Sequence, residues 1–130
     1  MVITTFIIDD DETYVYALKR LISIRKLSEK VLSFKNGKTA IDYFVETPLE
    51  DIIMPDVILL DVKMPIMDGW DFLEAFAELD FVGKHKVDIY MVSSSIDPRD
   101  LEKASHIPLV KKYLFKPIDS DDVKLIFSKE

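Results

Sequence analysis

A layered α/β fold built on a parallel sheet is the prediction for this chain, and three observations make it. Short apolar runs recur at even spacing, three of them unbroken, as strands covered on both faces require. Segments of helical period separate them, so strand and helix alternate five times, with right-handed crossovers. The 130 residues suit one domain with one ordinary core.

Val2 to Ile8 is the first strand. Tyr14, Ala17, Leu18, Leu21 and Ile22 follow at i, i+3, i+4, i+7 and i+8 and predict a first helix, with Asp11, Val15 and Lys19 off its apolar stripe. Val31-Leu32-Ser33-Phe34-Lys35 is more mixed and reads as an edge strand. Ala40, Ile41 and Phe44 form a shorter helical stripe that Thr47-Pro48 ends, and 47–56 reads as a loop. The third strand is Val57-Ile58-Leu59-Leu60, and the third helix carries Phe72, Leu73, Phe76 and Leu79 after Asp68-Gly69. Ile89-Tyr90-Met91-Val92 is the fourth strand, followed by Asp97-Pro98 as an N-cap with Pro at the first helical position. Tyr113-Leu114-Phe115 is the fifth, and Asp119 and Ser120 cap a last short helix bearing Val123, Ile126 and Phe127. With no internal repeat or linker, residues 1–130 are expected to form a single domain, with no output domain attached.

Composition narrows the function. At 48% hydrophobic and 32% charged residues the chain is globular rather than disordered. The absence of cysteine excludes disulfides, thiolate zinc sites and thiol catalysis. A net charge of −7 argues against nucleic-acid binding, which rests on Lys and Arg, and favours a cation site or a basic partner. The N-terminus lacks a basic leader segment, and no apolar run approaches the ~20 residues that span a bilayer. A soluble, cytoplasmic protein without membrane insertion is the expectation.

Polar residues gather where the strands end: Asp9-Asp10-Asp11 after the first, Asp61 after the third, Ser93-Ser94-Ser95 after the fourth and Lys116-Pro117 after the fifth. Open parallel sheets bind ligands beyond the carboxyl ends of their strands. Taken singly, an acidic run suits a helix start, Asp68-Gly69 suits a turn, and the serines and Lys116-Pro117 suit ordinary loops. Jointly, they place carboxylates, a hydroxyl and an ammonium around one crevice. Carboxylates so crowded repel and call for a proton or a cation. Mg2+ suits them, since it takes oxygen ligands and keeps waters that a phosphate can replace.

The set Ile7-Ile8-Asp9-Asp10, Leu60-Asp61-Val62-Lys63-Met64-Pro65-Ile66-Met67-Asp68-Gly69, Val92-Ser93-Ser94 and Tyr113-Leu114-Phe115-Lys116-Pro117 resembles the receiver domain of bacterial two-component response regulators, over essentially the whole chain. The resemblance implies a flavodoxin-like (βα)5 fold with strand order 2-1-3-4-5. It implies that Asp61 is the phosphoacceptor for a histidine kinase or histidine phosphotransfer protein. Asp9, Asp10, Asp61 and the backbone carbonyl of Lys63 would hold Mg2+. Lys116 would bind a phosphoryl oxygen, with a bond to Pro117 that proline allows to be cis. Ser93 would be the switch hydroxyl and Tyr113 the switch aromatic that turns inward behind it. Lys63, Ser94 and Ser95 would flank the phosphate, with Lys63 and Ser95 beside the path of an attacking water. The donor would dock on the first helix, at Asp11, Val15 and Lys19, with Val15 as an apolar anchor on a solvated face. Output would leave through the face of the fourth helix, fifth strand and fifth helix toward an unspecified protein target. Ser stands at 93 where Thr is commoner, keeping the hydroxyl and losing a methyl, and Ser94 holds a place often taken by Ala.

Such a chain is not an enzyme beyond its own phosphotransfer and autodephosphorylation. Phosphoryl transfer to a carboxylate asks mainly for positioning and charge neutralisation, which these residues supply. Two alternatives stand beside it. Phe6 to Thr13 also fits the opening motif of haloacid-dehalogenase-type phosphohydrolases, with Asp9 as nucleophile and Asp11 as general acid. That reading leaves Asp61 unused and needs metal ligands from Asp121-Asp122, in a short final helix. The other is a receiver-like interaction module that is never phosphorylated.

Overall fold

In the computed structural model, which describes residues 2–79 and 86–128, all five strands are parallel and every helix expected from the sequence is present. The elements are β1 (Val2–Ile8), α1 (Glu12–Ile24), β2 (Ser28–Phe34), α2 (Gly37–Glu46), β3 (Val57–Asp61), α3 (Gly69–Ala77), β4 (Asp88–Ser93), α4 (Pro98–Ser105), β5 (Val110–Phe115) and α5 (Ser120–Phe127). A short 3-10 turn, Leu49–Asp51, interrupts the loop before β3. The sheet order is β2-β1-β3-β4-β5, the doubly wound flavodoxin-like arrangement.

Strand alternation builds two cores. Phe6, Ile8, Ile58, Leu60, Ile89 and Met91 face α2, α3 and α4, where Phe44, Phe72, Phe76 and Ala104 meet them. Ile7, Leu59, Tyr90 and Val92 point the other way, against Val15, Leu18 and Ile22 of α1 and Val123, Ile126 and Phe127 of α5. β1, β3 and β4 are covered on both faces, which is why their sequences are continuously apolar. Aromatic rings knit the first core: Phe6 lies 5.2 Å from Phe34 and 5.7 Å from Phe44, and Phe72 stacks on Phe76 at 5.3 Å. Such pairs add ~1 kcal/mol each beyond the burial itself.

Each helix begins at an Asp or Asn cap. Asp11, Asn36, Asp68, Asp97 and Asp119 each accept a backbone N–H of the first turn, each worth ~1 kcal/mol. β2 and β5 are longer than expected. The residues added to β5, Val110, Lys111 and Lys112, hide behind two lysines that belong to a sheet edge, where charge discourages further pairing.

The apolar stripe read for α1 packs on the sheet at Tyr14, Leu18, Leu21 and Ile22, and differs from the reading at Ala17 and Val15. Val15 is buried among Leu18 and Ile22, while Ala17 faces solvent. Val15, Leu18 and Ile22 at i, i+3 and i+7 offer the sheet three large aliphatic side chains, and burying Val15 rather than Ala17 removes more apolar area from water. Val15 is therefore a core residue and not an exposed docking anchor. Among the described residues, no helix is long and apolar enough to cross a membrane.

Candidate functional site

At the carboxyl end of the sheet, β1, β3 and β4 are neighbours, and β1 lies between β2 and β3, so the chain reverses direction of winding there. The residues after β1, β3 and β5 converge on this crevice. Asp9 follows β1 and is almost fully buried; Asp61 closes β3 and is buried too; Asp10 beside them is exposed. One carboxylate oxygen from each of the three lies within 4.8 Å of the others. Oxygen donors so grouped match a hard divalent cation.

Lys116 supplies the opposite charge. Its Nζ sits 2.7 Å from Asp9 Oδ2 and 3.7 Å from Asp61 Oδ1. The Lys116–Pro117 peptide is cis. Asp9 Oδ1 accepts the backbone N–H of Asp11 at 2.9 Å, so both oxygens of Asp9 have partners. Burial, then repulsion from Asp9, pushes the Asp61 carboxyl up to about 7 from an ordinary 3.8, although Lys116 and the Val62 N–H pull it down. Asp61 thus stands where its negative charge is least compensated, next to an ammonium that is already engaged by Asp9.

The loop after β3 is shaped by sequence-specific constraints. Gly69 donates its N–H to the Val62 carbonyl at 2.8 Å, and a Cβ there would fall 2.5 Å from the backbone oxygen of Asp61. Only glycine lets α3 start so close to the end of β3. Ile66 sits at φ 70°, a left-handed conformation that is an outlier for a β-branched side chain, and Met67 N–H bonds back to Pro65 O at 2.7 Å across it.

Ser93 ends β4, buried, and its hydroxyl accepts the Ser95 N–H at 3.0 Å. Tyr113 on β5 is also buried, with a hydroxyl that makes no hydrogen bond of good geometry among the described residues; burial raises its pKa, and the nearby Ser93 hydroxyl moderates the rise. Tyr113 therefore already points inward, beside Ser93. Ser94 and Lys63 are exposed and Ser95 half-buried, at the mouth of the crevice.

Asp11 does not join the carboxylate group. Its side chain caps α1, accepting the Tyr14 N–H at 3.1 Å. Asp121 and Asp122 lie in the first turn of α5, where Asp122 completes a capping box with Asp119. Of the acids that a dehalogenase-type site needs, Asp11 and Asp122 are thus committed to capping helices, and Asp121 lies in the first turn of α5. Lys19 is half-buried on α1, in a cleft lined by Glu12, Tyr16, Lys35 and Thr39.

One residue of the site was read only as part of an apolar stripe. Tyr14 lies one turn into α1, and its ring centroid is 4.3 Å from Lys116 Nζ. Its hydroxyl is buried and makes no hydrogen bond among the described residues, and burial together with Asp9 and Asp61 raises its pKa. The signal available in the sequence was its distance of five residues from Asp9, enough for the first helical turn to pass under the strand ends.

Residues 5–127 match the family described as the response regulator receiver domain. A two-component response regulator from Cytophaga hutchinsonii superposes with a TM-score of 0.86 at 27% identity, covering 98% of this chain and 95% of that one. Among curated relatives, the probable methanogenesis regulatory protein FilR2 of Methanothrix harundinacea is 23% identical over 91% of this chain and 74% of its own length. The protein-glutamate methylesterase/protein-glutamine glutaminase of Bacillus subtilis is 27% identical over 73% of this chain, a stretch that makes up only 24% of that protein. The match spans both cores and all the strand ends that form the crevice, and on that ground the chain belongs to the response regulator receiver domain family.

Proposed function

We propose that this chain is a phosphorylation-dependent signalling receiver that takes a phosphoryl group onto Asp61 from a histidine kinase or histidine phosphotransfer protein. The observation that carries the reading is the position of Asp61: a buried carboxylate at the end of β3, 3.7 Å from the Lys116 ammonium and grouped with Asp9 and Asp10. In the transfer, an Asp61 oxygen forms the new bond to phosphorus, the phosphorus–nitrogen bond of the donor phosphohistidine breaks, and the imidazole leaves. Lys116 is within reach of a phosphoryl oxygen bound there. The Ser93 hydroxyl, now accepting from Ser95, can rotate its proton toward another. A Mg2+ held by Asp9, Asp10, Asp61 and the Lys63 carbonyl would neutralise charge on the group in flight. The protein does no other chemistry: it transfers the group to itself and loses it by hydrolysis. It acts by binding a target protein in the phosphorylated form or by passing the group on as a relay, in the cytoplasm and without nucleic acid. Tyr113 beside Ser93 would link the site to the face of α4, β5 and α5.

Incubation with acetyl phosphate and Mg2+, followed by borohydride trapping and peptide mass spectrometry, tests this directly. Label on Asp61 is the expected result. Label on Asp9 with none on Asp61 would point to phosphohydrolase chemistry, and no label under any donor would point to an interaction module that is not phosphorylated.

A further inference from the structure

We propose that Tyr14 is a positioning residue whose ring face holds the Lys116 ammonium in register with Asp61; the inference rests on the receiver reading above and assigns part of the work to a residue outside its motif. A lysine side chain is a flexible stem with a point charge at its end, and ordering it costs rotamer entropy. Lys116 nevertheless has to present its ammonium at one place. Two contacts from different elements fix it: the Asp9 carboxylate at 2.7 Å, from the end of β1, and the Tyr14 ring at 4.3 Å, from α1.

The two contacts differ in kind. Asp9 is also a member of the carboxylate group suited to a cation, so its pull on Lys116 is shared with whatever charge that group holds. The ring carries no formal charge, competes for no cation, and attracts the ammonium through its quadrupole in a partly desolvated setting. Lys116 is itself mostly buried, at 14% side-chain exposure, which strengthens that attraction. The Tyr14 hydroxyl is buried without a hydrogen bond among the described residues, so the ring and not the hydroxyl performs the task. The backbone of Tyr14 is pinned as well, since its N–H is the one capped by Asp11. The acidic run after β1 thus anchors the first turn of α1 that carries the ring.

The test compares wild type with Tyr14→Phe and Tyr14→Leu by two readouts on the full chain. The first is the proton shift of the Lys116 ε-methylene, which ring current moves upfield when the group sits over an aromatic face; exposed Lys112 serves as the reference. The second is the rate of labelling by acetyl phosphate with Mg2+. Wild type and Tyr14→Phe should share the upfield shift and the rate. Tyr14→Leu should lose the shift and be labelled about tenfold more slowly, the worth of a largely desolvated cation–ring contact. If Tyr14→Leu fails to fold, Tyr14→Met, unbranched and without a ring, takes its place with the same expectations. An unshifted ε-methylene in wild type, a Leu or Met variant labelled at the wild-type rate, or a Phe variant as slow as Leu would each overturn the proposal. A wild-type chain that shows the shift but accepts no phosphoryl group overturns the receiver reading, while the shift still supports the ring–ammonium contact.

Discussion

Replacing Asp61 by Asn should stabilise the metal-free protein, increasingly as pH rises from 3.8 to about 7. In the unfolded chain an aspartate ionises near its ordinary 3.8; in the fold, Asp61 holds its proton up to about 7, even with Lys116 nearby. A raised acid binds its proton more tightly in the folded state. The folded state is therefore unpenalised below pH 3.8 and loses stability as pH rises toward 7, after which the loss is constant. At ~1.4 kcal/mol per pH unit, that window is worth roughly 4 kcal/mol as an upper bound. Asp10 and the crevice mouth are open to water, and solvent screening reduces the figure to roughly 2 kcal/mol. Urea unfolding of wild type and Asp61→Asn, in chelator, at pH 5 and pH 8 measures the difference. Only the part of the window above pH 5 separates the two conditions, so the variant should gain roughly 1 kcal/mol more over wild type at pH 8 than at pH 5. Adding Mg2+ at pH 8 should close the gap by stabilising wild type alone. An equal gap at both pH values, or a larger one at pH 5, would refute the account of Asp61 as the undercompensated charge of the site.

Ile66→Asn should raise stability by about 1 kcal/mol, because asparagine tolerates the left-handed conformation and the exposed isoleucine side chain loses little burial; thermal unfolding checks it. Val15→Arg should cost about 3 kcal/mol by thrusting a guanidinium into the α1–sheet core, so it should slow labelling by acetyl phosphate and by a histidine kinase alike; selective loss of the kinase reaction would restore Val15 as a docking residue. Lys63→Asn should speed autodephosphorylation severalfold, since the lysine stem is removed from the water's approach and an amide able to orient water replaces it. An unchanged or slower loss of label would mean that Lys63 leaves the path open.

The parallel α/β class, the helix starts at Asp97-Pro98 and Asp119-Ser120, and the strand ends that bear chemistry were legible in the order of residues. Those features are local. Unbroken apolar runs such as Val57 to Leu60 record a strand buried on both faces, and Asp97-Pro98 records a cap whatever surrounds it. Asp9, Asp61, Ser93 and Lys116 could be assembled on paper because a parallel sheet brings all its strand ends to one side. Other features were decided only by packing. Which neighbour of the α1 stripe is buried depends on how the helix seats on the sheet, and packing buried Val15 while leaving Ala17 exposed. The length of β5 was hidden because a paired edge strand needs no apolar side chains where it meets water. Tyr14 and Lys116 are 102 positions apart in the numbering, and no periodicity links them; the ring meets the ammonium only because α1 and the end of β5 pack beside the same end of the sheet. The raised pKa of Asp61 is likewise tertiary, since desolvation and the field of Asp9 exist only once β1 and β3 lie side by side.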